Sequence, residues 1–127
     1  MQGIKAVVIT VSDACSRGER EDCSGEELVQ LLNELGAEIV ERVVMSDDLD
    51  ALSRALQQFA ERSDVNLIVT TGGTGLGPRD NTPEATRKVI EREAQGISEA
   101  MRLETLKNTP MSMISRGVSG ICSGSLI

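Results

Sequence analysis

Two hydrophobic rhythms alternate along this chain. Ile4 to Val11 reads IKAVVITV, a nearly unbroken β-branched run that predicts a strand covered on both faces. Ser12 to Cys23 is polar and predicts a loop, with Glu19 to Asp22 a solvated acidic stretch. Leu28, Leu31, Leu32 and Leu35 then fall at helical spacing, with Ser24 and Glu27 as a capping box and Gly36 as the stop. Ala37 to Met45 predicts a second strand, whose Glu38, Glu41 and Arg42 suit a sheet edge. Ser46-Asp47-Asp48 leads into a helix with Leu49, Leu52, Leu56 and Phe59 on one face.

Val65 to Val69 predicts a third buried strand, and a third helix is expected from Thr82-Pro83, with Thr as N-cap and Pro at the first turn. Gly96 to Leu106 predicts a further helix with Ile97, Ala100, Met101 and Leu103 turned inward. Thr109-Pro110 opens a short helix through Ile114, a Gly/Ser-rich stretch follows, and Leu126-Ile127 start a strand. The methionines Met101, Met111 and Met113 are expected to fill the core. Strands alternating with helices predict one α/β domain over residues 1–127, built on a mainly parallel sheet. In such sheets ligands bind beyond the carboxyl ends of the strands. Three loops reach that edge, around Ser12-Asp13, Ser46-Asp47-Asp48 and Thr71-Gly72.

Composition removes several chemistries. The chain has 127 residues, a net charge of −7, one Phe, and no Trp, Tyr or His. Without His, catalysis by Ser-His-Asp or Cys-His sets is excluded. The acidic balance and missing aromatics argue against nucleic acid as partner. Cys15, Cys23 and Cys122 are odd in number and lack CxxC spacing, no secretory leader precedes Met1-Gln2-Gly3-Ile4-Lys5, and no apolar run reaches membrane-spanning length. A cytoplasmic protein without membrane attachment is the expectation.

The chemistry concentrates in TTGGTGLGPRDNTPEAT, Thr70 to Thr86. Gly72, Gly73, Gly75 and Gly77 sit at a strand-to-helix turn, where glycine lets amides approach and hold an anion. The pattern is neither a P-loop, since Pro78 and Arg79 stand where Lys and Ser/Thr are required, nor a dinucleotide fingerprint. Asp80 beside these amides, with Asp47 and Asp13 from the other two loops, suits Mg²⁺ bound together with phosphate oxygens. Each aspartate could instead serve a local turn or a helix N-terminus. Ser12, Ser46 and Ser115 could offer hydroxyls to a ligand, and Arg79, beside the turn, stands out among the arginines as a charge partner.

From Val7 to Ile127 the sequence resembles the molybdopterin-binding family of molybdenum cofactor biosynthesis, of the MogA/MoaB type. The resemblance rests on Val11-Ser12-Asp13 with Ser16-Arg17-Gly18, on Ser46-Asp47-Asp48, on the TGGTG…RD.TPEAT string, and on Pro110-Met111 through Ser115-Arg116-Gly117. It implies an adenylyltransferase that joins AMP from ATP to the terminal phosphate of molybdopterin with Mg²⁺, releasing pyrophosphate. Asp47 and Asp80 match the family's catalytic, metal-holding aspartates. Ser12, Asp13, Gly72, Gly73, Thr74, Gly75, Thr82 and Ser115 fall on its substrate-binding positions. A three-layer α/β/α sandwich, a cytosolic homotrimer and a molybdenum-insertion partner protein are implied as well. Ser46 replaces the family's usual Pro, and the family pattern continues past Leu126-Ile127 with an Asn-Leu-Pro-Gly-Ser-Pro-type loop and a last helix, so a C-terminally shortened domain is expected. The alternative is a non-catalytic molybdopterin-binding scaffold or carrier.

Overall fold

In the computed structural model, residues 3–127 are described; Met1 and Gln2, part of the N-terminal reading above, lie outside the described residues. The order is β1 (Lys5–Val11), α1 (Asp13–Ser16), α2 (Cys23–Glu34), β2 (Glu38–Met45), α3 (Leu49–Glu61), β3 (Leu67–Thr71), α4 (Thr82–Val89), β4 (Arg92–Glu93), α5 (Gln95–Leu106), a 3-10 turn (Pro110–Ile114), β5 (Gly120–Cys122) and β6 (Ser125–Leu126). The six strands form one sheet in the order β2-β1-β3-β6-β5-β4. β2, β1, β3 and β6 run parallel, and β5 and β4 add antiparallel pairs. The mostly parallel α/β sheet is the one the strand-helix alternation predicts, its three layers are those the family resemblance implies, and β2 is the edge strand its charged residues suit.

β1 is central because both its faces are apolar. Val7, Ile9 and Val11 join Leu52, Leu56 and Ala60 of α3, Ile68 of β3 and Ala85 of α4 in the main core. Leu52 and Leu56 are fully buried, each contributing roughly 1.5–3 kcal/mol by leaving water. On the opposite face α2 lies close to β1, since a side chain at Gly25 would run into the Thr10 hydroxyl.

Several local expectations are corrected. The cap of α2 is Asp22, which accepts the Gly25 amide at 2.9 Å, rather than Ser24. The same carboxylate accepts the Thr10 hydroxyl and pairs with Arg42, so Asp22 is a fixed structural anion and not part of a solvated acidic loop. Asp13 to Ser16 form a short helix inside the expected loop. Asn81 occupies the cap position of α4 in place of Thr82. In α5 only Ser98 is buried; Ile97, Met101 and Leu103 face outward, as do Met111 and Met113, so these side chains do not fill the core. The β4-β5-β6 edge carried no sequence expectation beyond the strand at Leu126. It depends on the Ser123-Gly124 turn, where both residues have positive φ as a two-residue hairpin requires. No helix among the described residues is long and apolar enough to cross a membrane.

Candidate functional site

The three loops predicted to meet do meet, at the carboxyl ends of β1, β2 and β3. The turn after β3 holds its shape through two glycines. Gly72 and Gly73 have φ of 95° and 68°, and a side chain at Gly72 would strike the Val11 carbonyl oxygen. Thr82 closes the turn from α4: its hydroxyl donates to the Gly72 carbonyl at 2.9 Å and its amide donates to the Gly73 carbonyl at 3.1 Å. Thr82 is buried, so it positions the turn from behind. Among the described residues the amides of Gly73, Thr74 and Gly75 donate to no protein acceptor, which leaves them for an anion.

Two aspartates back this turn. Asp48 caps α3, accepting the Asp50 amide, which releases Asp47 from that role. The Asp47 carboxylate instead accepts the Asn81 amide at 3.0 Å, with its other oxygen against Gly73. It is 4% exposed. Burial pushes its proton affinity above the usual carboxylate range, the Asn81 hydrogen bond opposes that, and the neighbouring charges of Asp80 and Asp13 add to it. Asp80 lies against Gly75 and Gly77 and accepts the Gly77 amide at 2.8 Å.

Asp13 joins the group differently. Arg79 grips its carboxylate with two nitrogens, at 2.9 and 3.1 Å, and the Asp47 amide donates to it at 2.9 Å. Arg79 and then the Asp47 amide lower its pKa to about 2. Arg79, singled out in the sequence for an anionic ligand, thus spends its charge on Asp13.

Arg116 is the residue whose part sequence reasoning missed. Its Nε donates to the Gly75 carbonyl and its Nη2 to the Asp80 carbonyl, each at 2.8 Å, while Glu84 of α4 takes its remaining face. Its amide donates to the Thr74 carbonyl at 2.8 Å. A single guanidinium thereby ties both ends of the glycine loop to α4, a use of fixed, forked donors that lysine cannot copy. The signal was its place in Ser115-Arg116-Gly117, next to a residue already chosen.

Clefts open on both sides of Thr71-Gly72. One, about 450 Å³, reaches toward α5 and is lined by Thr74, Thr82, Met101, Thr105 and Ser115 among others. The other, about 270 Å³, reaches toward α1 and α2 and includes Ser12, Cys15, Asp22 and Cys23. The Ser12 hydroxyl is engaged in capping α1, accepting the Cys15 amide at 3.2 Å. The Ser115 hydroxyl lies 3.5 Å from that of Thr74. Among the described residues no three acidic or cysteine side chains form a ready-made metal cage. A divalent ion would need ligand oxygens to complete its shell, which is how Mg²⁺ binds with phosphates. Asp47, buried beside Asp80 and without an ion pair of its own among the described residues, fits such an ion.

Residues 7–125 match the family described as "Probable molybdopterin binding domain". Over 129 residues the chain is 39% identical to the molybdenum cofactor synthesis protein cinnamon of Drosophila melanogaster, covering all of this chain and 21% of the fly protein. It is 38% identical to a molybdopterin adenylyltransferase of Helicobacter pylori, covering all of this chain and 73% of that enzyme. Among solved structures, the molybdopterin biosynthesis enzyme MoaB of Thermus thermophilus superposes with a TM-score of 0.89 at 40% identity, over 98% of this chain and 78% of that one.

Proposed function

This chain belongs to the molybdopterin-binding domain family of molybdenum cofactor biosynthesis, and from that premise we propose that it transfers AMP from ATP to the terminal phosphate of molybdopterin. The supporting observation is the placement of Asp47 behind Gly73 and Asp80 behind Gly75, on a turn whose amides are free. Such an arrangement combines donors for phosphate oxygens with carboxylates for the cation that accompanies them. The name of the Helicobacter relative points to the same transfer.

The attacking phosphate is already an anion, so the reaction asks for alignment and charge neutralisation and not for a strong base. That agrees with a site built without histidine. The amides of Gly73, Thr74 and Gly75 hold the anionic group, Thr82 and Arg116 keep those amides in place, and Asp47 and Asp80 orient the cation. These two carboxylates would hold Mg²⁺, whose charge would offset that of the phosphate oxygens. In this reading the protein works in the cytoplasm as a homotrimer and passes its product to a molybdenum-insertion partner. The outward apolar side chains of α5 and the 3-10 turn support self-association, which sedimentation velocity tests.

Incubation with molybdopterin, ATP and Mg²⁺ is expected to yield adenylylated molybdopterin and pyrophosphate, and Asp80→Ala is expected to abolish both. Molybdopterin binding without any product would assign the chain a scaffold role instead.

A further inference from the structure

A second polar feature stands across the cleft from the glycine turn. Ser98, the one buried residue of α5, is 4% exposed, and its hydroxyl finds no hydrogen-bond partner among the described residues. Such a group is costly when left unsatisfied, a cost an alanine would avoid. Arg102, one helical turn further on, shares its face of α5. It is half-buried, donates through Nη1 to the Gly117 carbonyl at 3.0 Å, and pairs with no carboxylate among the described residues. The other half-buried arginine, Arg116, is spent on Glu84. Ser98, Arg102, Ser115 and Gly117 border both the cleft next to Gly72 and a neighbouring cleft of about 460 Å³ between α4 and α5. In the latter, Glu84 and Glu93 are neutralised by Arg116 and Arg87, and Glu99 is exposed and forms no ion pair among the described residues. The N-terminus of α5 also lacks a side-chain cap.

We propose that Ser98 and Arg102 form an oxyanion-binding subsite where the two clefts join, taking a phosphate group of a bound substrate. The subsite rests on the reading above, in which both substrates carry phosphates. A chain of net charge −7 has little reason to hold a guanidinium without a carboxylate beside an unpaired buried hydroxyl unless an anion completes them. The glycine turn and this subsite would then grip two different phosphate groups, one on each wall, which fixes the substrates' separation.

Titration calorimetry with molybdopterin and with Mg-ATP, on the wild type, Arg102→Gln and Ser98→Ala, tests this. Arg102→Gln is expected to weaken one ligand about tenfold or more, and Ser98→Ala the same ligand about threefold to tenfold. The ligand-free melting temperature of Ser98→Ala should be unchanged or higher, because an unpaired hydroxyl is removed. Weakening confined to molybdopterin places the pterin's phosphate here, and weakening confined to Mg-ATP places the nucleotide's. Equal affinities across all three proteins would overturn the proposal, as would a lowered melting temperature for Ser98→Ala. Inorganic phosphate provides a separate arm: a saturable shift of the Arg102 Nε–H resonance, absent in Ser98→Ala, would uphold the subsite even if the adenylyl transfer itself failed. No shift would sink it while leaving that transfer standing.

Discussion

The Asp47 carboxylate accepts the backbone amide of Asn81 at 3.0 Å, joining the loop after β2 to the start of α4. The Asn81 side chain returns the contact, donating to the Asp47 carbonyl at 3.3 Å. Asp47 thus carries a structural bond on one carboxylate oxygen while the other faces the glycine turn.

Replacing Asp47 by Asn separates these two parts. The amide oxygen can still accept from Asn81, and the buried charge disappears. Turnover is expected to fall by about 10²-fold or more. Burial raises the folded-state pKa of Asp47, so the folded protein holds that proton more tightly than the unfolded chain, and stability falls as pH rises through the raised value. Asp47→Asn should therefore melt at or above the wild-type temperature at neutral pH and lack that dependence in mildly acidic buffer. Melting curves across pH, run beside the activity assay, check both statements.

Asp13 has the opposite sign. Arg79 and the Asp47 amide depress its pKa to about 2, so its contribution is present above the unfolded value of 3.8 and is lost as pH falls through about 2. Carboxyl NMR titration should find Asp13 in that low range. Arg79→Gln should raise it toward the ordinary value, and a change of sign or no change would contradict the pairing.

The glycine turn should reject side chains selectively. Gly72→Ala forces a carbon onto the Val11 carbonyl oxygen, a backbone atom that cannot step aside, at a φ of 95°. A loss of about 1–3 kcal/mol in denaturant unfolding is expected. Gly124 has φ of 85° but nothing within 4 Å, so Gly124→Asn, a residue that tolerates this conformation, should cost far less.

Arg116→Lys should loosen the loop without unfolding the domain. Lysine cannot reach the Gly75 and Asp80 carbonyls and Glu84 together. Hydrogen exchange at residues 73–80 should accelerate while the β1 amides stay protected, and turnover should drop about tenfold to a hundredfold. Unchanged exchange in the loop would remove Arg116 from its positioning role.

Sequence alone determined the runs that form β1, β2 and β3, the edge character of β2, the buried face of α3 and the glycine turn with its two aspartates. Each follows from local information: apolar period, charge placement, and residue types that only a special backbone needs. Tertiary structure decided which of several equivalent polar groups does what. Asp22 rather than Ser24 caps α2, Asp48 rather than Asp47 caps α3, and Arg79 turns to Asp13 while Arg116 takes the loop. These choices depend on carbonyls and carboxylates brought close by segments far apart in the chain, so no window of sequence contains them. The same holds for α5, whose apolar residues look inward by period but face outward. What α5 buries is Ser98, and only the assembled cleft shows that its hydroxyl is left without a partner.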